Sequence, residues 1–271
     1  MRSLVTREAP FSFVIVLVYL AVISSSVFAQ SGSNLTPIDR EIEKHRQRLT
    51  AGDMEERRDA VIRLGNLHIA AASRAAMPAL SDPSPVVRAH AAKAILSVEP
   101  EHAVAALLPL LKDKDEFVRR EAAYALGLTR SRSATAPLSE LLLTDKEDGV
   151  RAAAAVALGH IADEAAVISL AGTLAPELSA RRNGKGKREQ NVFVLRAAAV
   201  ALGKIKSRAG TAALISVLNN EKLDSDVRRE AARALGLIGD PAAAPALRSA
   251  ATASDPYLSE LAHEALRKLG Q

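Results

Sequence analysis

The chain has 271 residues, of which 48% are apolar, 25% charged and only 3% aromatic, with no Cys and no Trp. Lacking Cys, it has no disulfide, thiolate metal site, cysteine nucleophile or lipid-anchored Cys, and its few aromatic rings argue against a stacking platform for single-stranded nucleic acid. The formal charge is +5, a sign that often accompanies nucleic-acid or anionic-surface binding.

The N-terminus carries Arg2 and Arg7, then an uncharged, mostly apolar stretch over 11–23, then three serines, Val27 and Ala29. A basic start, a short apolar run and small residues before a cut are the pattern of a secretory signal peptide. The reading is a leader over 1–29, cleaved between Ala29 and Gln30. An uncleaved anchor fits less well, because a spanning helix needs ~20 apolar residues. The mature protein is then expected in the periplasm or outside the cell. Residues 30–36 read as a polar linker, and no later stretch is long and apolar enough to span a bilayer.

From residue 37 the chain repeats itself. After a charged helix expected over 38–49, six segments align: 56–65, 87–96, 118–127, 150–159, 194–203 and 227–236, with a seventh, 258–267, that has lost the arginine. Ala60, Ala91, Ala122, Ala154, Ala198, Ala231 and Ala262 share one column. Leu or Ile follows four residues later, and Val or Leu precedes by four in six copies. Apolar positions at −4, 0, +4 and +7 form one stripe of an α-helix. Asp53, Ser84, Asp115, Asn191, Asp224 and Asp255 stand at the N-cap position, where a side-chain oxygen can accept free backbone N–H groups. A second apolar pattern precedes each copy: Ala103, Leu107, Leu110, Leu111 and Ala134, Leu138, Leu141, Leu142 have the same spacing. Each unit is therefore two helices. No such pair can bury its stripe alone, so the pairs must stack.

The D-x-x-V-R-x-x-A-A-x-A-L-G pattern, nearly complete over 115–127 and 224–236, resembles the HEAT-like repeat of phycobilisome lyases. The resemblance covers 37–271. It implies an all-α solenoid of about seven helix pairs, with the first helix of each pair on the convex side and the second on the concave side. The charged first helix and the altered last repeat read as caps.

Two columns, two residues before and two after the invariant alanine, should face away from the buried stripe. In the middle repeats they hold Arg120 and Tyr124, Ala152 and Val156, Arg196 and Val200, Arg229 and Arg233. A small apolar strip flanked by arginines is the composition of a protein-binding patch. The aligned Arg57, Arg88, Arg119, Arg151 and Arg228 read instead as scaffold, pairing with acidic or carbonyl groups of turns such as Asp82, Asp113 and Asp145, each six residues before an arginine. The stretched repeat holds a basic insertion, 179–190, with Arg181, Arg182, Lys185, Lys187 and Arg188 against Glu189. It reads as a solvated loop or as a finger for an acidic partner, and it lacks the P-loop spacing.

No catalytic motif is present. HEAT-like deoxyhypusine hydroxylases use several His-Glu pairs, and this chain has one, His263-Glu264, too few for a two-metal site. The sequence reading is an exported, non-enzymatic scaffold that binds protein through its concave face, with no cofactor, no metal, no specific nucleic acid, and no membrane attachment after leader removal. A lyase-like enzyme or accessory factor, or polyanion binding through the basic loop, is the alternative. The partner's identity and the oligomeric state are open.

Overall fold

A computed structural model describes residues 35–175 and 191–271. The chain divides into two units, 1–44 and 45–271. The leader, its cleavage site and nearly all of the linker lie outside the described residues, as does the basic insertion. Among those described, no helix is long and apolar enough to cross a membrane.

The described secondary structure is entirely helical. In chain order the α-helices are α1 Pro37–Arg48, α2 Met54–Asn66, α3 Ala70–Ala76, α4 Pro85–Ala94, α5 Pro100–Leu107, α6 Glu116–Thr129, α7 Thr135–Thr144, α8 Asp148–Ile161, α9 Val167–Leu174, α10 Val192–Ile205, α11 Thr211–Asn219, α12 Ser225–Ile238, α13 Ala244–Ala250 and α14 Pro256–Lys268. From α3 to α14, odd and even helices are the first and second members of six packed pairs, as the periodicity predicts. Within the first unit, Thr36 and Asp39 close a reciprocal cap at the start of α1: Asp39 N–H donates to the Thr36 hydroxyl, and Thr36 N–H donates to the Asp39 carboxylate.

The predicted N-caps hold. Asp53, Asp115, Asn191, Asp224 and Asp255 each accept a backbone N–H of the following turn, while Ser84 occupies the position without such a bond. The first helices are less regular. Pro78 and Pro109 each lack an N–H to donate, and there α3 and α5 give way to 3-10 turns over Met77–Ser81 and Leu108–Lys112.

All seven invariant alanines are fully buried, as are the leucines and isoleucine four residues on in the first six repeats. The −4 column is equally buried. The +7 column lies at the margin, with Leu67, Ile205, Ile238 and Leu269 only half-buried. Successive second helices pack on one another far more extensively than successive first helices do. The cause is a glycine seam. A Cβ placed on Gly127, Gly159, Gly203 or Gly236 would stand 2.6, 2.9, 3.0 or 2.9 Å from the Cα of Ala157, Ala201, Ala234 or Ala265 on the next second helix. Gly65 meets Ala94 at 3.1 Å. The closest helix approach thus runs through this glycine column, not through the invariant alanines.

The scaffold arginines join neighbouring turns, with partners that differ in part from those expected. Arg88 Nη1 donates to the Asp82 carbonyl six residues back, but its carboxylate partner is Asp113 of the next repeat, with Nε–Oδ2 2.7 Å and Nη2–Oδ1 2.8 Å. Arg57 grips Asp82 and Arg119 grips Asp145 in the same bidentate way. Each of these aspartates also accepts the N–H of the N-cap residue two positions on. A rung therefore ties one turn to the next. Burial pushes these carboxyls up. The arginine and the backbone N–H outweigh it and leave Asp82, Asp113 and Asp145 below the ordinary carboxylate value.

Arg151 is fully buried, bonded to the Asp145 and Lys146 carbonyls and paired with Asp148. The following rung is missing from both sides, because Leu195 replaces the arginine and Lys222 the aspartate. Arg228 likewise faces Ala253 in register, and its Nε donates to the Leu218 carbonyl instead.

A second set of ties runs along the starts of the first helices. The Ser131 and Ser133 hydroxyls donate to Glu101 at 2.7 and 3.0 Å, Thr135 donates to Asp163 at 2.9 Å, and Ser207 donates to Glu164 at 2.7 Å.

Candidate functional site

The second helices present the candidate surface. Close stacking covers part of every side chain on it. Of the two outward columns, Ala89 is buried, Arg120, Tyr124, Ala152, Val156, Arg196 and Arg229 are half-buried, and Val200 and Arg233 are exposed. Tyr124, Val156 and Val200 fall at the same position of three successive second helices, α6, α8 and α10. Gly149 and Ala152 make the centre of this strip its shallowest part.

Its charges are unevenly matched. Glu121 is buried and takes Lys93 at 2.6 Å, with Arg120 at 3.6 Å as its second cation. Asp226 takes Arg229 at 2.9 Å and Arg196 at 3.7 Å. The Arg196 Nε–H is buried without an acceptor. Arg120 also lies over the Phe117 ring, 5.1 Å from its centroid.

Arg229 has a further task. Its Nε and Nη2 grip Asp255 of the next repeat, both at 2.9 Å, and its guanidinium covers the Tyr257 ring. It does at the sixth repeat what Arg57, Arg88 and Arg119 do earlier, one position along the helix. The reason lies in the turn: no carboxylate stands at Ala253, so the nearest acid is the N-cap Asp255 itself. Arg229 is therefore a structural tie as well as a surface cation, and Arg228 lacks the carboxylate of a full rung. Arg233 pairs with Glu230 on its own helix at 3.4 Å.

The C-terminal ends of the second helices carry features that sequence reasoning missed. His68, Arg130, Ala162, Lys206 and Gly239 stand three residues after the seam glycine of their repeats, and all adopt positive φ. Only one is glycine, the residue usually found at this kind of helix end. Glycine is placed mid-helix, at the seam, and the left-handed cap falls to side chains that tolerate it poorly. The column one after the seam glycine reads Leu128, His160, Lys204 and Leu237, with both leucines exposed. Burial, then the nearby positive charges of Lys204 and Arg130, hold the His160 imidazole below its ordinary value. The periodic spacing was available in the sequence. The αL conformation was not, because Arg, Ala and Lys carry no signal for it.

Three shallow grooves flank these elements. One, of about 330 Å³, is lined by Glu116, Arg120, Lys146, Glu147, Asp148, Gly149 and Val150 at the N-terminal edge of the strip. The others, of about 470 and 720 Å³, lie among first helices, the larger between the last two repeats. Among the described residues, no three His, Asp or Glu side chains cluster so as to hold a metal ion. The insertion cations Arg181, Arg182, Lys185, Lys187 and Arg188 lie outside the described residues.

The family model for HEAT repeats matches four stretches, three of them overlapping, 42–126, 73–159 and 104–183, and one separate, 187–267. Solved structures share the fold. The Escherichia coli protein YibA superposes with a TM-score of 0.60 at 18% identity, covering 99% of this chain and 100% of its own. A karyopherin bound to the extreme C-terminus of a protein phosphatase gives 0.56 at 15% identity, with 97% of this chain matching 33% of the larger one. The CpcE–CpcF complex of phycocyanin lyase from Nostoc gives 0.49 at 25% identity and 88% coverage of both. No curated protein sequence matches the chain.

Proposed function

The chain belongs to the HEAT-repeat family, and we propose that it is an exported scaffold that holds a protein segment along the face of its second helices. The observation that carries this reading is the strip itself. Tyr124, Val156 and Val200 stand at one position of three successive second helices, and the cations Arg120 and Arg196 beside them have only second-hand carboxylates. Apolar centre and arginine border together are the makeup of a protein interface. The glycine seam supports a concave assignment for this face: a stacked double layer curves toward the layer whose members lie closer together, and here that is the second helices. The karyopherin of the same fold was solved with a peptide end bound, so a rod of this kind can take one. Export rests on the leader over 1–29.

Crosslinking in the native envelope, followed by capture of the wild type and of Val156→Asp, tests the reading. Specific crosslinked proteins lost in Val156→Asp are expected. An unchanged set would overturn the assignment of the face. Fractionation with N-terminal sequencing tests export, with Gln30 expected at the mature terminus. A second reading, polyanion binding, rests on the five cations of 179–190. Deleting 181–188 should abolish retention on an anionic column while leaving protein crosslinks intact if the two activities are separate.

A further inference from the structure

One edge of the interaction strip carries basic side chains without an ion pair among the described residues, beside the hydroxyl-bonded carboxylates of Glu101, Asp163 and Glu164. Arg130, His160 and Lys204 lie at the C-terminal ends of α6, α8 and α10, three consecutive second helices. Among the described residues, none of their side chains has a hydrogen bond or ion pair. The positive charges of Arg130 and Lys204 both act on the His160 ring. Two of the three are exposed, and Lys204 lies over the missing side chain of Gly159, with its Cδ 3.5 Å from where a Cβ would be. One turn inward along the same helices run Tyr124, Val156 and Val200. Arg196, one turn before Val200, adds a cation whose only carboxylate, Asp226, is held closer by Arg229. At the opposite edge stand Glu116, Glu147 and Asp148 together with Arg120 and Lys146.

From this juxtaposition we propose that the partner segment is acidic and amphipathic. Resting on the reading of the strip as a protein-binding face, the proposal assigns the segment's apolar side chains to Tyr124, Val156 and Val200 and its carboxylates to Arg130 and Lys204, with the His160 imidazole between them as a hydrogen-bond donor. Neighbouring packed helices are about 9 Å apart, and an extended chain advances about 3.3 Å per residue. Acidic side chains about three residues apart would therefore meet Arg130, His160 and Lys204 in turn. Charge complementarity of this kind sets orientation and specificity more than raw affinity. It also excludes the reverse polarity along the strip, because a basic segment would meet the cations unscreened within a Debye length of about 8 Å.

The test uses a fluorescein-labelled nonapeptide with Glu at every third position and Leu and Val between, alongside versions with Gln or Lys in place of Glu. Binding to the full mature chain is read by anisotropy at physiological salt. The Glu peptide is expected to bind at least tenfold more tightly than the Gln peptide. Arg130→Gln/Lys204→Gln should weaken the Glu peptide at least fivefold and leave the Gln peptide unchanged. Lys204→Glu should move preference toward the Lys peptide. None of these side chains is paired in the fold, and a thermal melt confirms that each variant is folded. The same result in the chain lacking 181–188 assigns binding to the strip.

Equal affinity for Glu and Gln peptides, both weakened by Val156→Asp, would overturn the acidic class and leave the face reading standing. Absence of binding by every peptide would also overturn it, and the Val156→Asp crosslinking experiment then decides the face reading separately. Displacement of the Glu peptide by a single-stranded oligonucleotide or by anionic vesicles, with loss of their binding in the double variant, would assign the edge to those ligands and overturn the proposal.

Discussion

Arg119→Ala removes one rung cleanly. The wild-type guanidinium meets Asp145 through Nε at 2.7 Å and Nη2 at 3.1 Å, and its Nη1 serves the Asp113 and Lys114 carbonyls. Both side chains are less than a tenth exposed, at 8% and 6%. Losing one partner of a buried pair costs about 3–5 kcal/mol. Asp145 keeps the Glu147 N–H, which points to the lower end, about 3 kcal/mol. In a stacked array this loss falls on one interface, between the third and fourth repeats. Against a typical stability of about 5–15 kcal/mol it should move a urea midpoint visibly, followed by far-UV circular dichroism. Acid adds a signature. Asp145 titrates below its ordinary 3.8 in the fold, so its stabilisation is complete above about pH 4 and is lost as pH falls toward the folded value. Arg119→Ala should therefore flatten the acid limb of the stability curve. Arg228→Ala, which loses a carbonyl contact and no carboxylate, should cost about 1 kcal/mol. Equal losses in the two variants, or an unchanged midpoint for Arg119→Ala, would refute the rung argument.

Gly159→Ala places a Cβ 2.9 Å from the Ala201 backbone and should destabilise by about 2 kcal/mol despite the better helix propensity. Gly52→Ala, with nothing within 4 Å of the new Cβ, is its near-neutral control in the same urea titration. Ala162→Gly relieves a left-handed φ of 56° and should raise stability by about 0.5 kcal/mol, the gain at the cap less the added freedom of the unfolded chain. Asp115→Ala leaves the Phe117 and Val118 N–H groups without their cap and should cost about 1 kcal/mol. A thermal melt that ranks Gly159→Ala above Ala162→Gly in stability would contradict both seam and cap.

The helices, their caps and their pairing were legible because each follows from a local rule repeated seven times. Asp115 before a Val-Arg pair and Ala122 in the middle of an apolar stripe need no tertiary information. The rungs were half legible. Arg88 and Asp82 share a motif, but an arginine reaches forward into the next repeat, and sequence distance hides that Asp113 is the nearer carboxylate. Once the register is known, the joint loss of Arg at 195 and Asp at 222 can be seen in the sequence. The surface was least legible. Arg120 and Arg229 look equivalent in alignment, yet one is a loosely held cation and the other a tie to Asp255, because Ala253 leaves the turn without an acid. The edge of Arg130, His160 and Lys204 was not legible, because it lies at the helix ends, set by left-handed caps, rather than on the face opposite the buried stripe.

The glycine seam separates two tasks that most helical proteins give to the same residues. Cohesion between layers comes from the leucines and valines, which tolerate small sliding. Alignment comes from excluded volume, since α2, α6, α8, α10 and α12 each have one place where the next helix's backbone can enter, while the second repeat carries Leu96 in that column. Shifting a helix by one residue would drive a side chain into Cα atoms at Ala157, Ala201 or Ala234. The pitch of the rod is thereby set by what cannot overlap, so any strip drawn across successive units keeps its spacing even if the oily layer beneath it is repacked.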